Sequence, residues 1–186
     1  MENQNKVRAD LRQLKPFFIV AFVGIIYHLR IRPMAGDDVF FSQATSELGL
    51  WNYLIQRYET WTSRFVIEFL LVWIIKYPIL WRLIDLALFI SFPVLISKIF
   101  DGGKLLDWCA AAAVLLYPFH DMGTAGWITT TVNYFWPVWG MFFVGFLLKK
   151  MLVHKKINIV EGIAGVLVCV IASSHEQVAV ILFVVF

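Results

Sequence analysis

Four polar clusters interrupt an otherwise apolar chain, and each holds side chains capable of chemistry. Gly36-Asp37-Asp38 sets two carboxylates side by side. Such a pair can supply a general base, bind a metal ion or cap a helix, and either aspartate suits the N-cap of a helix starting near Val39. Trp61-Thr62-Ser63-Arg64 puts a guanidinium at the head of an apolar helix. There it either snorkels to an interface or grips a phosphate bidentately, staying charged at any working pH. The stretch from Pro118 to Pro137 is dense in hydrogen-bonding and aromatic groups, among them His120, Asp121, Thr129, Asn133, Tyr134 and Trp136. Aromatic faces beside amides and hydroxyls make a sugar-binding surface, or else an interfacial loop with an aromatic belt. The fourth cluster, Ser173-Ser174-His175-Glu176-Gln177, lies between two apolar runs. It is not a zinc signature, because H-E-x-x-H needs a second histidine where Ala179 stands.

The composition constrains what holds these groups. Of 186 residues, 60% are hydrophobic and only 16% charged, and the mean hydropathy is +0.75. Soluble domains carry about 25% charged residues. A core cannot absorb this much apolar side chain and leave a wettable surface, so lipid is expected as the outer solvent. The eight tryptophans mostly sit near the ends of apolar runs, as interfacial anchors do. Cys109 and Cys169 lie inside apolar runs and read as small buried apolar residues, neither disulfide partners nor metal ligands. No P-loop, G-x-G-x-x-G, nucleophile elbow or basic-aromatic nucleic-acid surface occurs.

The apolar runs are Phe17–Leu29, Phe65–Ile75, Ile79–Ile99, Leu105–Tyr117, Tyr134–Leu148, Ile157–Ala172 and Val178–Phe186. Lys6, Arg8, Arg12 and Lys15 precede the first, but the charged, proline-bearing segment after it is a poor cleavage site. A retained first helix with a cytoplasmic N-terminus is expected. Lys149-Lys150 and Lys155-Lys156 belong on the cytoplasmic side, as does the Asp101-Gly102-Gly103 turn between Lys98 and Lys104. Those assignments leave Phe65–Ile75 one span too many. It is therefore expected to lie along the outer membrane face, and residues 33–78 form a long external loop with two juxtamembrane helices, roughly 39–58 and 61–76. The expected fold is all-α, a polytopic membrane helix bundle in which 1–186 is one transmembrane domain. The chain stops inside an apolar run at Phe186, as the N-terminal part of a longer module would.

This layout, with all four clusters on one external face, resembles the GT-C membrane glycosyltransferases, which take sugar from a polyprenyl-phosphate carrier outside the cytoplasmic membrane. More narrowly, Gly36-Asp37-Asp38, Trp61-Thr62-Ser63-Arg64, the Trp127 to Pro137 segment and His175-Glu176-Gln177 look like a bacterial branch of multi-pass proteins related to Gtr-type glucosyltransferases. The resemblance implies that Asp37 or Asp38 is the base activating an acceptor hydroxyl. It implies that Arg64 and His175 stabilise the departing polyprenyl phosphate, and that Asn133, Tyr134, Trp136 and Glu176 hold sugar or acceptor. The implied partners are a polyprenyl-phosphate-linked sugar, a glycan or lipid-linked acceptor and membrane lipid. No cofactor follows with certainty, though a divalent metal is compatible. Thr129-Thr130-Thr131-Val132-Asn133 departs from the glycine-serine pair expected before the asparagine. The competing reading is a non-catalytic membrane subunit or a transporter component for lipid-linked sugar, for which Asp85 within a run is the main feature.

Overall fold

The computed structural model describes residues 2–185, with side chains described for 14–118 and 122–185. It is 80% helix with no strand among the described residues, in line with the all-α expectation. The elements are α1 (Glu2–Arg30), α2 (Asp37–Gln43), α3 (Gly49–Thr60), α4 (Phe65–Ile74), α5 (Pro78–Phe100) and α6 (Lys104–Leu115), followed by α7 (Phe119–Ala125) and α8 (Trp127–Thr130). A π-turn (Thr131–Phe135) joins α8 to α9 (Trp136–Leu152), and α10 (Ile159–Ser173) and α11 (Glu176–Val185) complete the order. Two helical stretches are long and apolar enough to cross a membrane, Pro78–Phe100 (23 residues) and Trp127–Leu152 (26 residues). The basic side chains Lys6, Arg8 and Arg12 lie outside the described ones.

Local chemistry explains the helix boundaries. Asn158 and Glu161 form a reciprocal capping box that starts α10. Asp101, in a left-handed conformation, ends α5 at the expected turn before Lys104. Two expectations need correction. The segment 39–58 is not one helix: α2 stops at Gln43 and α3 starts at Gly49. The Ser42 and Ser46 hydroxyls donate to the Val39 and Gln43 carbonyls, competing with the backbone for those acceptors, and Gly49 takes a positive φ of 71°. Residues 33–78 therefore carry three helices, not two. The stretch 118–137 is also not a loop but helical through most of its length. Pro137 lacks an N–H and its ring would crowd the Asn133 carbonyl in an α-helix. The wider π-turn directly before α9 relieves that conflict and keeps the helix continuous.

Helix α1 packs on α5 and α6, α5 on α6 and α9, and α9 on α10, while α2 and α4 lie against α8 and the π-turn. The core gathers Trp81, Phe89, Ile67, Leu71, Val132 and Phe135. A polar knot runs through it. The Asp85 carboxylate accepts from Trp136 Nε1 at 2.7 Å and lies 2.9 Å from His28 Nε2, while His28 Nδ1 sits 2.7 Å from the Gly24 carbonyl. That carbonyl can only accept, so the His28 ring donates to it through Nδ1. Arg82 donates to the carbonyls of His28 and Ile31, closing the C-terminal end of α1. Outward, large apolar side chains stay exposed on several helices: Phe22 is 67% exposed, Leu116 82%, Ile159 82% and Phe183 89%.

Candidate functional site

The start of α2, the end of α3, the α3–α4 turn, α8 with the π-turn, and the start of α11 surround one cavity of ≈ 760 Å3. Asp37, Arg57, Arg64, Asn133, Tyr134 and Glu176 are among the residues that line it. Asp37, Arg64, Asn133, Tyr134 and Glu176 come from segments far apart in sequence, and all five were singled out as candidates from the sequence.

The two adjacent aspartates have different fates. Asp37 is exposed, lines the cavity and has no hydrogen-bond partner among the described residues. Asp38 is fully buried. Its Oδ1 accepts from Thr129 N at 2.8 Å and Thr129 Oγ1 at 2.9 Å, and its Oδ2 from Ile128 N and Met34 N, both at 3.2 Å. Neither aspartate caps its own helix through its side chain; Asp38 instead caps α8, whose first turn presents the Ile128 and Thr129 amides. The clamp needs close backbone approach. Gly126 has φ 97°, and a Cβ there would sit 2.7 Å from Asp38 Oδ1. Gly36, φ 53°, abuts the backbone of Thr124 to Gly126 in the same way.

Across the cavity, Arg64 Nε and Nη2 both lie 2.8 Å from Glu176 Oε2, and Ser63 Oγ donates to Oε1 at 3.3 Å. The Arg64 guanidinium also stands 5.7 Å from the Tyr134 ring centre. Burial opposes ionisation of Glu176, but its own backbone N–H and Arg64 outweigh that and hold its carboxyl below the ordinary range. Tyr134 packs edge-on against His175, with ring centres 5.6 Å apart. His175 is only 5% exposed, and neither ring nitrogen has a hydrogen-bond partner among the described residues. Burial first, and then the Arg64 charge, push its pKa down, so the ring is held neutral.

Asn133 lines the cavity while its amide donates to the Thr129 carbonyl at 2.9 Å. Trp136 is not part of this site. Thr129, Thr130, Asn133 and Tyr134 line the cavity, but Trp136, just past the π-turn, does not. It goes into the knot with Asp85. His175 stands behind Tyr134 and does not line the cavity. The side chains of His120 and Asp121 lie outside those described.

Sequence reading missed a second charged cluster. Glu68, 4% exposed, accepts from Arg57 Nη2 at 2.9 Å and Tyr53 Oη at 3.0 Å. Burial, reinforced by the Glu68 charge, pushes the Tyr53 hydroxyl well above its ordinary pKa, so it stays a donor. The Arg57 guanidinium lies 5.7 Å from both the Phe41 and Trp61 ring centres, leaving its Nε buried and unpartnered. A signal was present: a glutamate inside an apolar helix needs a partner, and two cations, Arg57 and Arg64, precede it within eleven residues. Among the described residues, no three histidine, cysteine or carboxylate groups gather as a metal cage. Comparison of the chain with protein-family models, with curated proteins and with solved structures finds no match.

Proposed function

We propose that this chain is a multi-pass protein of the bacterial cytoplasmic membrane, N-terminus cytoplasmic, acting on the outer face as a polyprenyl-phosphate-sugar-dependent glycosyltransferase of the GT-C kind. The observation that carries this reading is the meeting of a free carboxylate (Asp37), a guanidinium (Arg64) and sugar-compatible groups (Asn133, Tyr134, Glu176) around one cavity. At ≈ 760 Å3 it is in the size range of small-molecule sites, which run from about 300 to 1,000 Å3. The exposed apolar faces support lipid as the surrounding solvent. With ten residues, α4 is roughly 15 Å long, half the thickness of a bilayer core, which favours a membrane-surface position.

In this reading Asp37 takes the proton of an acceptor hydroxyl on a cell-surface glycan or lipid-linked acceptor. The hydroxyl oxygen bonds to the anomeric carbon as the bond from that carbon to the phosphate oxygen breaks. The polyprenyl phosphate leaves with its charge balanced by Arg64, which exchanges Glu176 for the phosphate, while His175, behind Tyr134, backs the wall of the site rather than touching the phosphate. Asp38 shapes the site through the α8 clamp rather than reacting. The test is release of polyprenyl phosphate by the full chain in liposomes, using a panel of polyprenyl-phosphate hexoses with bacterial surface polysaccharide as acceptor. Asp37→Asn is expected to slow release by roughly 10²- to 10⁴-fold without weakening donor binding. An unchanged rate removes Asp37 as base, and with it the reading.

The second reading, a non-catalytic subunit or transporter component, draws on the buried His28–Asp85 pair. It requires that Asp85→Asn alter lipid-linked sugar movement between leaflets while Asp37→Asn does not.

A further inference from the structure

A different pair of cavities lies towards the other end of α9. Lys149 is 16 positions beyond Asn133, roughly 24 Å along the helix axis. One cavity, ≈ 310 Å3, is walled by Lys98, Asp101, Phe146, Lys149, Lys150 and Lys155. The other, ≈ 320 Å3, is an almost wholly apolar groove between α5, α9 and α11, lined by Phe100, Phe142, Leu148, Ile181 and Val185. Lys149 lines both.

The charges at the polar cavity are incompletely balanced. Lys149 is anchored by Asp101 at 2.6 Å and by the carbonyls of Lys98 and Ile99 at 2.8 Å. Lys150 pairs with Glu161 at 2.6 Å. Among the described residues, Lys98 has only the Phe146 ring, 5.7 Å from its ammonium, and Lys155 has no ion pair. Four ammonium groups against the one lining carboxylate leave the cavity net positive, with two cations still available, beside a slot that water wets poorly. A small anion would use the lysines and leave the groove empty. A neutral lipid would fill the groove and leave the lysines uncompensated.

We propose that this is a binding site for an anionic phospholipid, with its phosphate among Lys98, Lys149 and Lys155 and one acyl chain in the groove along α9 and α11. The site rests on lipid surrounding the bundle and not on the transferase activity. Lysines close to an anionic lipid surface each strengthen binding by about fivefold at moderate salt, and the effect weakens as salt screens it.

The test measures lipid retention by the full chain in mild detergent, using native mass spectrometry. Phosphatidylglycerol is compared with phosphatidylcholine of the same acyl chains, and with glycerol 3-phosphate as a free phosphate source. Phosphatidylglycerol is expected to bind at least about tenfold more tightly than phosphatidylcholine. Lys98→Gln with Lys155→Gln is expected to weaken it by about 25-fold, and Lys98→Arg with Lys155→Arg to retain it. Ile181→Trp, which fills the groove, is expected to weaken phosphatidylglycerol without changing glycerol 3-phosphate. Equal binding of the two lipids, an unchanged affinity in the glutamine variant, or competition by glycerol 3-phosphate at equal concentration overturns the site. Retention of neither lipid overturns the lipid-surrounded reading as well.

Discussion

Replacing Asp38 separates a structural carboxylate from its reactive neighbour. Asp38→Ala removes an acceptor that serves four donors at 2.8–3.2 Å, all converging on a carboxylate with 0% exposure. Each donor left buried without a partner costs about 1–3 kcal/mol. The simple sum is an upper bound, because the cavity lies alongside α8 and water can follow the lost oxygens. A loss of about 3–5 kcal/mol is expected, well under the simple sum because water reaches some of the four neutral donors. Asp38→Asn keeps one carbonyl oxygen but turns an NH2 group towards the remaining amides, so about half that loss is expected. Asp37→Ala is the internal control. Exposed at the first turn of α2 and unbonded, it contributes at most a favourable end-of-helix charge, below about 1 kcal/mol. The assay is reversible unfolding in mixed detergent micelles followed by far-UV circular dichroism. Equal losses for the two alanine variants, or an Asp38→Ala value within about 0.5 kcal/mol of the parent, refute the clamp.

Three further outcomes follow from the same geometry. Gly126→Ala puts a Cβ 2.7 Å from Asp38 Oδ1 on a residue with φ 97°, and a loss of about 2–4 kcal/mol is expected in the same unfolding assay. Trp136→Phe leaves Asp85 Oδ1 without its donor inside the knot, so stability should fall by about 1–3 kcal/mol while donor binding at the cavity is unchanged; a selective loss of binding would return Trp136 to the site. The folded-state pKa values of His175 and Glu176 are both depressed, so both contributions fade as pH falls. Stability is expected to decline below the ordinary histidine value of 6.5 and more steeply below the ordinary glutamate value of 4.5. His175→Leu should flatten the profile between pH 7 and 5, and an unaltered slope there would assign the decline to another group.

Much of this organisation was legible in residue types. The Asp101-Gly102-Gly103 turn was read from its residues, and the Asn158–Glu161 capping box is a local signal of the same kind, because capping uses neighbours in sequence. The break between α2 and α3 was harder to read, since Ser42 and Ser46 act through weak local competition that a continuous apolar period masks. The helical character of 129–137 was hidden by its polar composition and by Pro137, which a single π-turn accommodates.

The sequence by itself determined that the chain is helical, that its apolar surplus must go somewhere other than a core, and that its reactive side chains fall in four short clusters. Only tertiary structure decided which members of those clusters meet. Asp37 and Asp38 are chemically identical neighbours, yet successive helical residues point about 100° apart, and the packing of α8 against α2 buries one and leaves the other free. Arg64 and Glu176 stand 112 positions apart, and no local pattern encodes their 2.8 Å contact. The same holds for His28, Asp85 and Trp136, whose bonds cross between helices. Capping and periodicity are short-range and additive along the chain, whereas a site forms from the relative rotation and depth of packed helices, which no single segment carries.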